Sequence, residues 1–269
     1  MLTKPFAPSV LPLRDDGRVY HLNLLPGELA DTIFFVGDPD RVSMVSYYFD
    51  QIELVRQNRE FITHTGTVSG KRVSVISTGM GVGNVDIVLN EVDALHNINF
   101  STRLVNPDPV VLDLIRIGTC GSLDKTLSPG EHVMSQYAVG FDGALSYYAL
   151  SPTRTHQRFQ SMVDSVFEEC ALRHSIYTGV GDSELCATLA KIGHSGITFT
   201  CPGFYAAQNR QLRVPITNID LMSRGHDLLF NDHAVLNFEM ETAMLLGLGA
   251  AMGHRCASMS LVVYNRITE

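Results

Sequence analysis

The sequence lacks the features that would place it in several broad classes of protein. Its 269 residues include 20 Lys or Arg against 28 Asp or Glu, a formal net charge of −8. This balance excludes a general basic surface for nucleic acid or for an anionic membrane, so an anionic ligand has to be held by a few local arginines. The five cysteines are odd in number and include no Cys-x-x-Cys pair. They predict free, mostly buried thiols, not a disulfide framework or a zinc site.

Long hydrophobic runs and metal-binding patterns are also missing. The longest uncharged apolar stretch, residues 242–252, is too short to span a bilayer, and the N-terminus has no signal-peptide core. We therefore expect a soluble, cytoplasmic protein with no membrane or nucleic-acid partner. The ten histidines include no His-Glu-x-x-His or similar spacing, so no metal site is predicted.

What the sequence does contain is an alternation of strand and helix patterns. Residues 1–20 are proline-rich and predict an irregular N-terminal arm, and residues 99–109 predict a surface loop. With no repeat or linker, the alternation predicts one domain over residues 1–269, an α/β three-layer sandwich with a mixed central β-sheet. Strands are predicted at 32–36, 61–68, 72–77, 112–117, 131–139, 176–180, 197–201, 235–240 and 256–264, and helices from Pro39, after a cap at Asn84, near 156–172 and over 241–252.

Several arginines follow or interrupt these strands, at the edge where α/β sheets bind ligands. Gly37 permits close approach of an anion to the backbone, and Arg41 lies one turn on, although an ordinary turn explains both. Arg59 has a surface ion pair as its simpler explanation. Arg116 interrupts an apolar strand and therefore needs an anion, either a ligand or a protein carboxylate. Thr119 adds a hydroxyl beside it.

Two carboxylates, Glu239 and Glu241, lie in the otherwise apolar segment 235–248 and need hydrogen-bond donors. A vicinal diol such as a ribose would supply two donors, and Arg116 or another cation would supply a structural alternative. A separate pattern, Gly79-x-Gly81-x-x-Asn84, partly matches a dinucleotide-binding turn. It lacks the third glycine and the acid about twenty residues on, so it remains a weak alternative.

Four segments taken in order resemble the nucleoside phosphorylase-I family. They are residues 37–42 (Gly-Asp-Pro-Asp-Arg-Val), 77–81 (Ser-Thr-Gly-Met-Gly), 115–121 (Ile-Arg-Ile-Gly-Thr-Cys-Gly) and 238–242 (Phe-Glu-Met-Glu-Thr). The resemblance runs from about Tyr20 to Arg266. Residues 204–210 (Phe-Tyr-Ala-Ala-Gln-Asn-Arg) are similar to the base-reading segment of the uridine phosphorylases in that family. Asn265 stands where purine phosphorylases carry an Asp that acts on the base, which disfavours purines.

The resemblance implies a role for each candidate residue. Gly37, Arg41, Arg116 and Thr119 would hold phosphate, Met240 and Glu241 ribose, and Phe204, Gln208 and Arg210 the base. Gly121 and Glu239 complete the expected binding residues. His21 and Arg59 correspond to residues that reach a neighbouring subunit's site, which implies a homo-oligomer, a dimer or a hexamer of dimers. Arg116, Gln208, Arg210 and Glu241 would be catalytic.

The implied reaction is phosphorolysis of uridine to uracil and ribose 1-phosphate, with inorganic phosphate as co-substrate and no metal or organic cofactor. A purine phosphorylase or a nucleosidase of the same fold, and a catalytically silent nucleoside-binding protein, remain alternatives. The sequence leaves open the choice between uridine, deoxyuridine and thymidine. The family continues into a C-terminal helix, so we expect that a chain ending at Glu269 is truncated.

Overall fold

Short runs of β-branched and aromatic residues form the strands, and apolar stripes form the helices between them. The computed structural model describes residues 4–217, 219 and 221–268. They fall into two compact units. The first takes in the described residues up to Met80 together with Asn84–Ile115, and the second Gly81–Gly83 and the described residues from Arg116 onward.

The first unit contains four neighbouring strands in the order β2-β3-β4-β1. Strands β2, β3 and β4 form an antiparallel meander, and β1 pairs with β4 in parallel. The elements are β1 (Thr32–Val36), α1 (Asp40–Ser46), β2 (Gln51–Asn58), β3 (Phe61–Val68), β4 (Lys71–Ser77), α2 (Val82–Asn97) and the short strands β5 (Ile98–Asn99) and β6 (Leu104–Val105). The first two residues of α2 belong to the second unit.

The chain enters the second unit within β7 (Asp113–Ser122). The further elements are β8 (His132–Gly140), α3 (Arg154–Val166), β9 (Tyr177–Val180), α4 (Ser183–Leu189), β10 (His194–Thr200), α5 (Leu221–His226), β11 (Leu229–Phe230), β12 (His233–Glu239), α6 (Thr242–Ala251) and β13 (Arg255–Asn265). Their strand order is β11-β12-β10-β8-β13-β7, with β9 beside β8. Strand β10 is parallel to β8 and β12, whereas β13 is antiparallel to β8. The predicted α/β class with a mixed sheet is confirmed.

The N-terminal arm lies on its own unit. Arg103, in the turn between β5 and β6, donates from Nε to the carbonyl oxygen of Phe6 at 2.6 Å and from Nη2 to that of Ala7 at 3.1 Å. Leu11 and Val19 are buried. The segment predicted as a surface loop therefore contains a small hairpin whose turn arginine holds the arm.

Several predicted boundaries are wrong, each for a local reason. Strand β7 does not end at Ile117 but continues through Gly118 and Gly121. Helix α2 begins at Val82, so Asn84 lies in its first turn and donates to Glu60 at 3.3 Å instead of capping the helix. Helix α3 ends at Val166, short of the predicted end. Strand β2 was missed because it is a mostly exposed sheet edge without an apolar run. Helices α4 and α5 were missed because each is only about two turns long.

All five cysteines are free and buried, as predicted. Burial raises the pKa of Cys120, Cys186 and Cys201 to about 12 each. Since the thiolate is the reactive form, the native thiols should be inert near neutral pH.

We expect native protein at pH 8 to react with fewer than one equivalent of a thiol reagent such as dithionitrobenzoate over minutes. The same protein in concentrated urea should react with five equivalents, the number of cysteines in the chain. Rapid reaction of two or more thiols in the native protein would contradict this assignment of buried thiols.

Candidate functional site

The start of α6 is fixed by the carboxylate of Glu239. Its two oxygens accept hydrogen bonds from the backbone amides of Glu241 at 2.9 Å and Thr242 at 3.0 and 3.1 Å, and from the hydroxyl of Thr200 at 2.7 Å. Backbone amides at a helix N-terminus have no partner within the helix, so an acceptor here satisfies them. With Arg116 Nη1 also 3.4 Å away, the acceptor sites of Glu239 are filled.

Glu241 lies one residue before α6 and is the partner of Arg116. Arg116 Nη2 donates to Glu241 Oε2, and the backbone amide of Gly81 donates to Glu241 Oε1 at 2.6 Å. Each carboxylate oxygen can accept two hydrogen bonds, so Glu241 keeps one acceptor site on each oxygen. Among the described residues no other hydrogen bond reaches this carboxylate. Met240, between the two acids, is half-buried.

Arg116 is buried, with 6% of its surface exposed. Its guanidinium folds back over Gly118, where a Cβ would lie 1.7 Å from Nη1, so any other residue at position 118 would displace the arginine. Nη1 also donates to the hydroxyl of Ser260 at 3.4 Å. The sequence left two kinds of anion open for Arg116, a ligand or a protein carboxylate. In the structure Arg116 pairs with protein carboxylates.

The charges in this cluster do not balance, because two carboxylates face one guanidinium. Burial lowers the pKa of Arg116, but the carboxylates of Glu241 and Glu239 more than offset this and leave the pKa raised, so the arginine stays charged. Burial raises the pKa of Glu241, Arg116 opposes the rise, and the carboxylate of Glu239 adds to it. Counted formally, two carboxylates and one guanidinium leave one negative charge in excess, and the acid that keeps unused acceptor sites is Glu241.

A second group of candidate residues surrounds Arg210. Its guanidinium carbon lies 4.0 Å from the ring centroid of Phe204, 5.0 Å from that of Tyr264 and 5.6 Å from that of Phe238. Nη1 donates to the backbone oxygen of Phe204 at 2.7 Å and to Oε1 of Gln208 at 2.5 Å, and Nη2 donates to the hydroxyl of Tyr264. The three rings and three acceptors fix the plane of the guanidinium.

Gln208 is buried, and it lines an otherwise largely apolar cavity of about 310 Å³ in the second unit. Within the part of the chain that the structure describes, its Nε2 makes no hydrogen bond. The cavity walls include Leu123, Phe141, Phe199, Cys201, Ile216 and Phe238. An unused amide donor beside apolar walls suits a flat heterocycle with a carbonyl acceptor.

Asn265 is the residue that stands in place of the purine-specific acid. All hydrogen-bonding positions of its side-chain amide are taken by backbone groups. Its Nδ2 donates to the carbonyl oxygens of Asp124 at 2.8 Å and Leu127 at 2.6 Å, and its Oδ1 accepts from the amides of Ile267 at 2.8 Å and Thr268 at 3.2 Å. With 1% of its surface exposed, it has no atom left for a ligand.

The other predicted residues of the second unit have different surroundings. Thr119 is exposed and its hydroxyl makes no hydrogen bond with the described residues. At Gly121 a Cβ would lie 2.5 Å from both Cζ and Oη of Tyr264, so this glycine leaves space for the tyrosine ring. The structure thus gives Gly121 a packing role, and its contact with substrate stays a prediction.

In the first unit, His21 is tied to a glutamate of its own chain. Nδ1 of His21 lies 2.7 Å from Glu91 Oε1, and the amides of His21 and Leu22 donate to the same carboxylate. Arg59 is exposed, has a left-handed backbone (φ 53°), and forms no ion pair with any described residue. The adjacent carboxylate of Glu60 accepts a hydrogen bond from Asn84.

Gly37 and Arg41 flank the turn from β1 into α1. A Cβ at Gly37 would meet only the carbonyl oxygen of Gly79, at the ordinary contact distance of 3.6 Å, so packing does not require glycine there. Close approach of a ligand to the backbone stays the predicted reason. Arg41 is half-buried in the first turn of α1.

Among the described residues no helix is long and apolar enough to cross a membrane, and no group of three or more His, Cys, Asp or Glu side chains is arranged to hold a metal ion. The sequence pattern of the phosphorylase superfamily matches residues 31–269. The chain belongs to the phosphorylase superfamily. The nucleoside phosphorylase resemblance of its four motifs is thereby confirmed.

Individual relatives are similar over most of the chain. A uridine phosphorylase of Thermococcus kodakarensis is 27% identical over 100% of this chain and 85% of its own length. A DeoD-type purine nucleoside phosphorylase of Shewanella amazonensis is 29% identical over 69% of this chain and 78% of its own length. A solved nucleoside phosphorylase of Trypanosoma brucei, described as having uridine phosphorylase activity, superposes with a TM-score of 0.85 at 30% identity over 96% of this chain and 91% of its own.

Sequence reasoning missed three side chains that build this part of the second unit: Thr200, Tyr264 and Arg266. Thr200 completes the support of Glu239, and Arg266 Nη2 donates to the carbonyl oxygens of Gln208 and Asn209 at 3.4 Å each. Burial, together with the charge of Arg266, lowers the pKa of Arg210. For Tyr264 and Arg266 the sequence does hold a signal, because an aromatic residue and a cation flank Asn265.

Asn265→Asp tests whether position 265 is structural. The substitution turns two donated hydrogen bonds into contacts between a carboxyl oxygen and two carbonyl oxygens in a buried site. We expect a loss of at least about 2 kcal/mol in the free energy of unfolding by urea, and no gain of activity on inosine.

Asn99→Asp is the matched control, because Asn99 is exposed and uses only its oxygen, as acceptor for the amides of Ser101 and Thr102. Its stability should change by less than about 0.5 kcal/mol. An Asn265→Asp protein of wild-type stability that cleaves inosine would contradict the structural role.

Proposed function

We propose that this chain catalyses the reversible phosphorolysis of uridine to uracil and ribose 1-phosphate. The observation that carries the proposal is the buried amide of Gln208 bonded to the guanidinium of Arg210, which lies over the ring of Phe204. An amide beside a guanidinium complements a pyrimidine edge that has an N–H donor and carbonyl acceptors, and the aromatic ring offers a stacking surface. The uridine phosphorylases among the relatives support the same assignment.

Charge development gives Arg210 its proposed catalytic role. As the glycosidic bond breaks, the bonding electron pair passes to the pyrimidine, whose carbonyl oxygens become more negative. A guanidinium has five N–H donors, and Arg210 uses three of them on protein acceptors. The Nε hydrogen and one Nη2 hydrogen therefore remain to stabilise the departing base.

Glu241 is the better ribose ligand of the two acids. It has one unused acceptor site on each oxygen, as two neighbouring hydroxyl groups require, whereas the oxygens of Glu239 are occupied by the start of α6. We assign Glu239 to positioning Glu241. Met240 stays a proposed contact of the sugar.

In the proposed reaction Arg116 contributes to both the ribose site and the phosphate site. It anchors Glu241 through Nη2, and no described residue accepts a hydrogen bond from its Nε. That donor is proposed for phosphate, together with the exposed hydroxyl of Thr119. Gly37 and Arg41 remain proposed phosphate ligands. Phosphate attacks the anomeric carbon as the base leaves, so positioning and charge stabilisation account for catalysis, and no metal or organic cofactor is proposed.

Purine phosphorolysis is the second candidate, because DeoD-type purine phosphorylases are among the relatives. The buried and fully bonded Asn265 argues against it, since no acid stands at that position. We also propose a homo-oligomer, a dimer or a hexamer of dimers, in which His21 and Arg59 serve a neighbouring copy, and a cytoplasmic location.

The deciding experiment incubates the protein with uridine, thymidine, inosine or adenosine, with and without phosphate, and measures the free base. We expect uracil from uridine only when phosphate is present. Release at the same rate without phosphate would identify a nucleosidase, release from inosine or adenosine a purine phosphorylase, and binding without release a silent binding protein.

The raised pKa of Glu241 predicts how uridine affinity depends on pH. Protonation removes acceptor sites, and because burial raises the pKa, protonation begins at a higher pH than for an ordinary carboxyl. We expect the Kd for uridine, measured by calorimetry without phosphate, to increase as pH falls from 7 towards 5, with the melting temperature followed in parallel. A Kd that stays constant down to pH 4.5 in folded protein would show that Glu241 does not bind the sugar.

A further inference from the structure

Tyr264 occupies a prepared position near the end of β13. Its ring is half-buried, packs edge-on to Phe238 at a centroid distance of 6.2 Å, and covers Gly121 of β7. A Cβ on Gly121 would lie 2.5 Å from the tyrosine hydroxyl oxygen. The absence of a side chain at position 121 is therefore what allows the Tyr264 hydroxyl to reach its place.

The hydrogen bond between Arg210 and the hydroxyl of Tyr264 has a defined direction. Arg210 Nη2 donates to Tyr264 Oη, since a guanidinium has no acceptor. The phenol is thus an acceptor in this contact, and its own hydrogen has to point elsewhere. Among the described residues nothing accepts that hydrogen. The group is a half-buried donor next to a cation, and burying it against a ligand without an acceptor would be unfavourable.

The neighbours of this donor are the groups proposed to read the base. Arg210 bonds to Gln208, stacks on Phe204 and lies 5.0 Å from the Tyr264 ring. Arg210 and Tyr264 together offer N–H and O–H donors from adjacent atoms. Two adjacent donors suit one oxygen on which negative charge increases during the reaction.

We infer that Tyr264 is a further catalytic residue, which donates a hydrogen bond beside Arg210 to a carbonyl oxygen of the leaving pyrimidine. The inference rests on the proposed uridine phosphorolysis. In that step the bond from a phosphate oxygen to the anomeric carbon forms as the carbon–nitrogen bond breaks. The electron pair of the broken bond passes into the pyrimidine ring and onto its carbonyl oxygens, and the base anion then takes a proton from water.

Tyr264→Phe removes only the hydroxyl and keeps the ring over Gly121. We expect kcat/KM for uridine to fall about 10- to 100-fold, the effect of losing a hydrogen bond to a developing charge. The fall should be smaller for 5-fluorouridine, because the electron-withdrawing fluorine stabilises the base anion and reduces the need for the donor. A purely structural residue would affect both substrates alike.

Tyr137→Phe is the matched control. The Tyr137 hydroxyl accepts a hydrogen bond from Asn231 at 3.0 Å, and Tyr137 is not among the residues that line the cavity of about 310 Å³ beside Gln208. Its removal should leave the ratio of the two substrates unchanged. Melting temperatures of both variants separate loss of fold from loss of turnover.

The Arg210→Ala background distinguishes direct action from support of the arginine. If Tyr264 donates to the base itself, Tyr264→Phe still lowers kcat/KM in that background. No further fall there, an equal fall for both nucleosides, or wild-type kinetics would each overturn the inference while leaving uridine phosphorolysis standing. A wild-type protein that releases no uracil with phosphate would overturn both.

Discussion

The buried charge cluster at the start of α6 is the constraint on which the second unit depends. Arg116, Glu239 and Glu241 are all less than 10% exposed, and ionised groups are stable at such burial only with nearly complete hydrogen bonding. Glu239 obtains it from the first amides of α6 and from Thr200 of β10. One carboxylate thus fixes where β12 ends, where α6 begins and which strand lies beside them.

The same cluster determines what kind of ligand it favours. Two carboxylates against one guanidinium leave an excess negative charge, and the unused acceptor sites are on Glu241. A neutral polyol that only donates hydrogen bonds is favoured at those sites, because it adds no charge. An anion near Arg116 is opposed by the same excess, so further cations have to contribute to any phosphate site. Arg41 and Arg59 are the predicted candidates.

Much of this arrangement follows from the sequence, and the remainder depends on contacts between distant segments. Apolar periodicity located the buried strands and α6, and the rule that a buried arginine needs an anion correctly flagged Arg116. The sequence left two partners open for it, a ligand or a carboxylate. Choosing between them required knowing that Gly118 lets the guanidinium fold back towards Glu241, which is a feature of side-chain packing across strands.

The continuation of β7 beyond Ile117 was not predictable for a related reason. Glycines after an apolar run usually indicate a turn. Here Gly118 is flat against the guanidinium of Arg116, and Gly121 against the ring of Tyr264, so both are strand residues without a side chain because another residue's side chain occupies the space. Local propensity has no means of distinguishing a glycine that bends the chain from one that makes room.

A second tyrosine clarifies why Tyr264 differs from an ordinary packed ring. Tyr177 of β9 covers Gly140 of β8 in the same way, with a Cβ on that glycine 2.2 Å from the ring. Its hydroxyl donates to Asp142 at 2.9 Å, so its hydrogen has a partner within the protein. The ring of Tyr264 likewise covers a glycine, Gly121, but its hydroxyl accepts a hydrogen bond from the guanidinium of Arg210. The fold thus uses one packing arrangement twice, and the neighbouring side chain determines what the phenol does. Beside the carboxylate of Asp142 the hydroxyl of Tyr177 donates its hydrogen within the protein. Beside the guanidinium of Arg210 the hydroxyl of Tyr264 accepts, and its hydrogen is available to the proposed ligand.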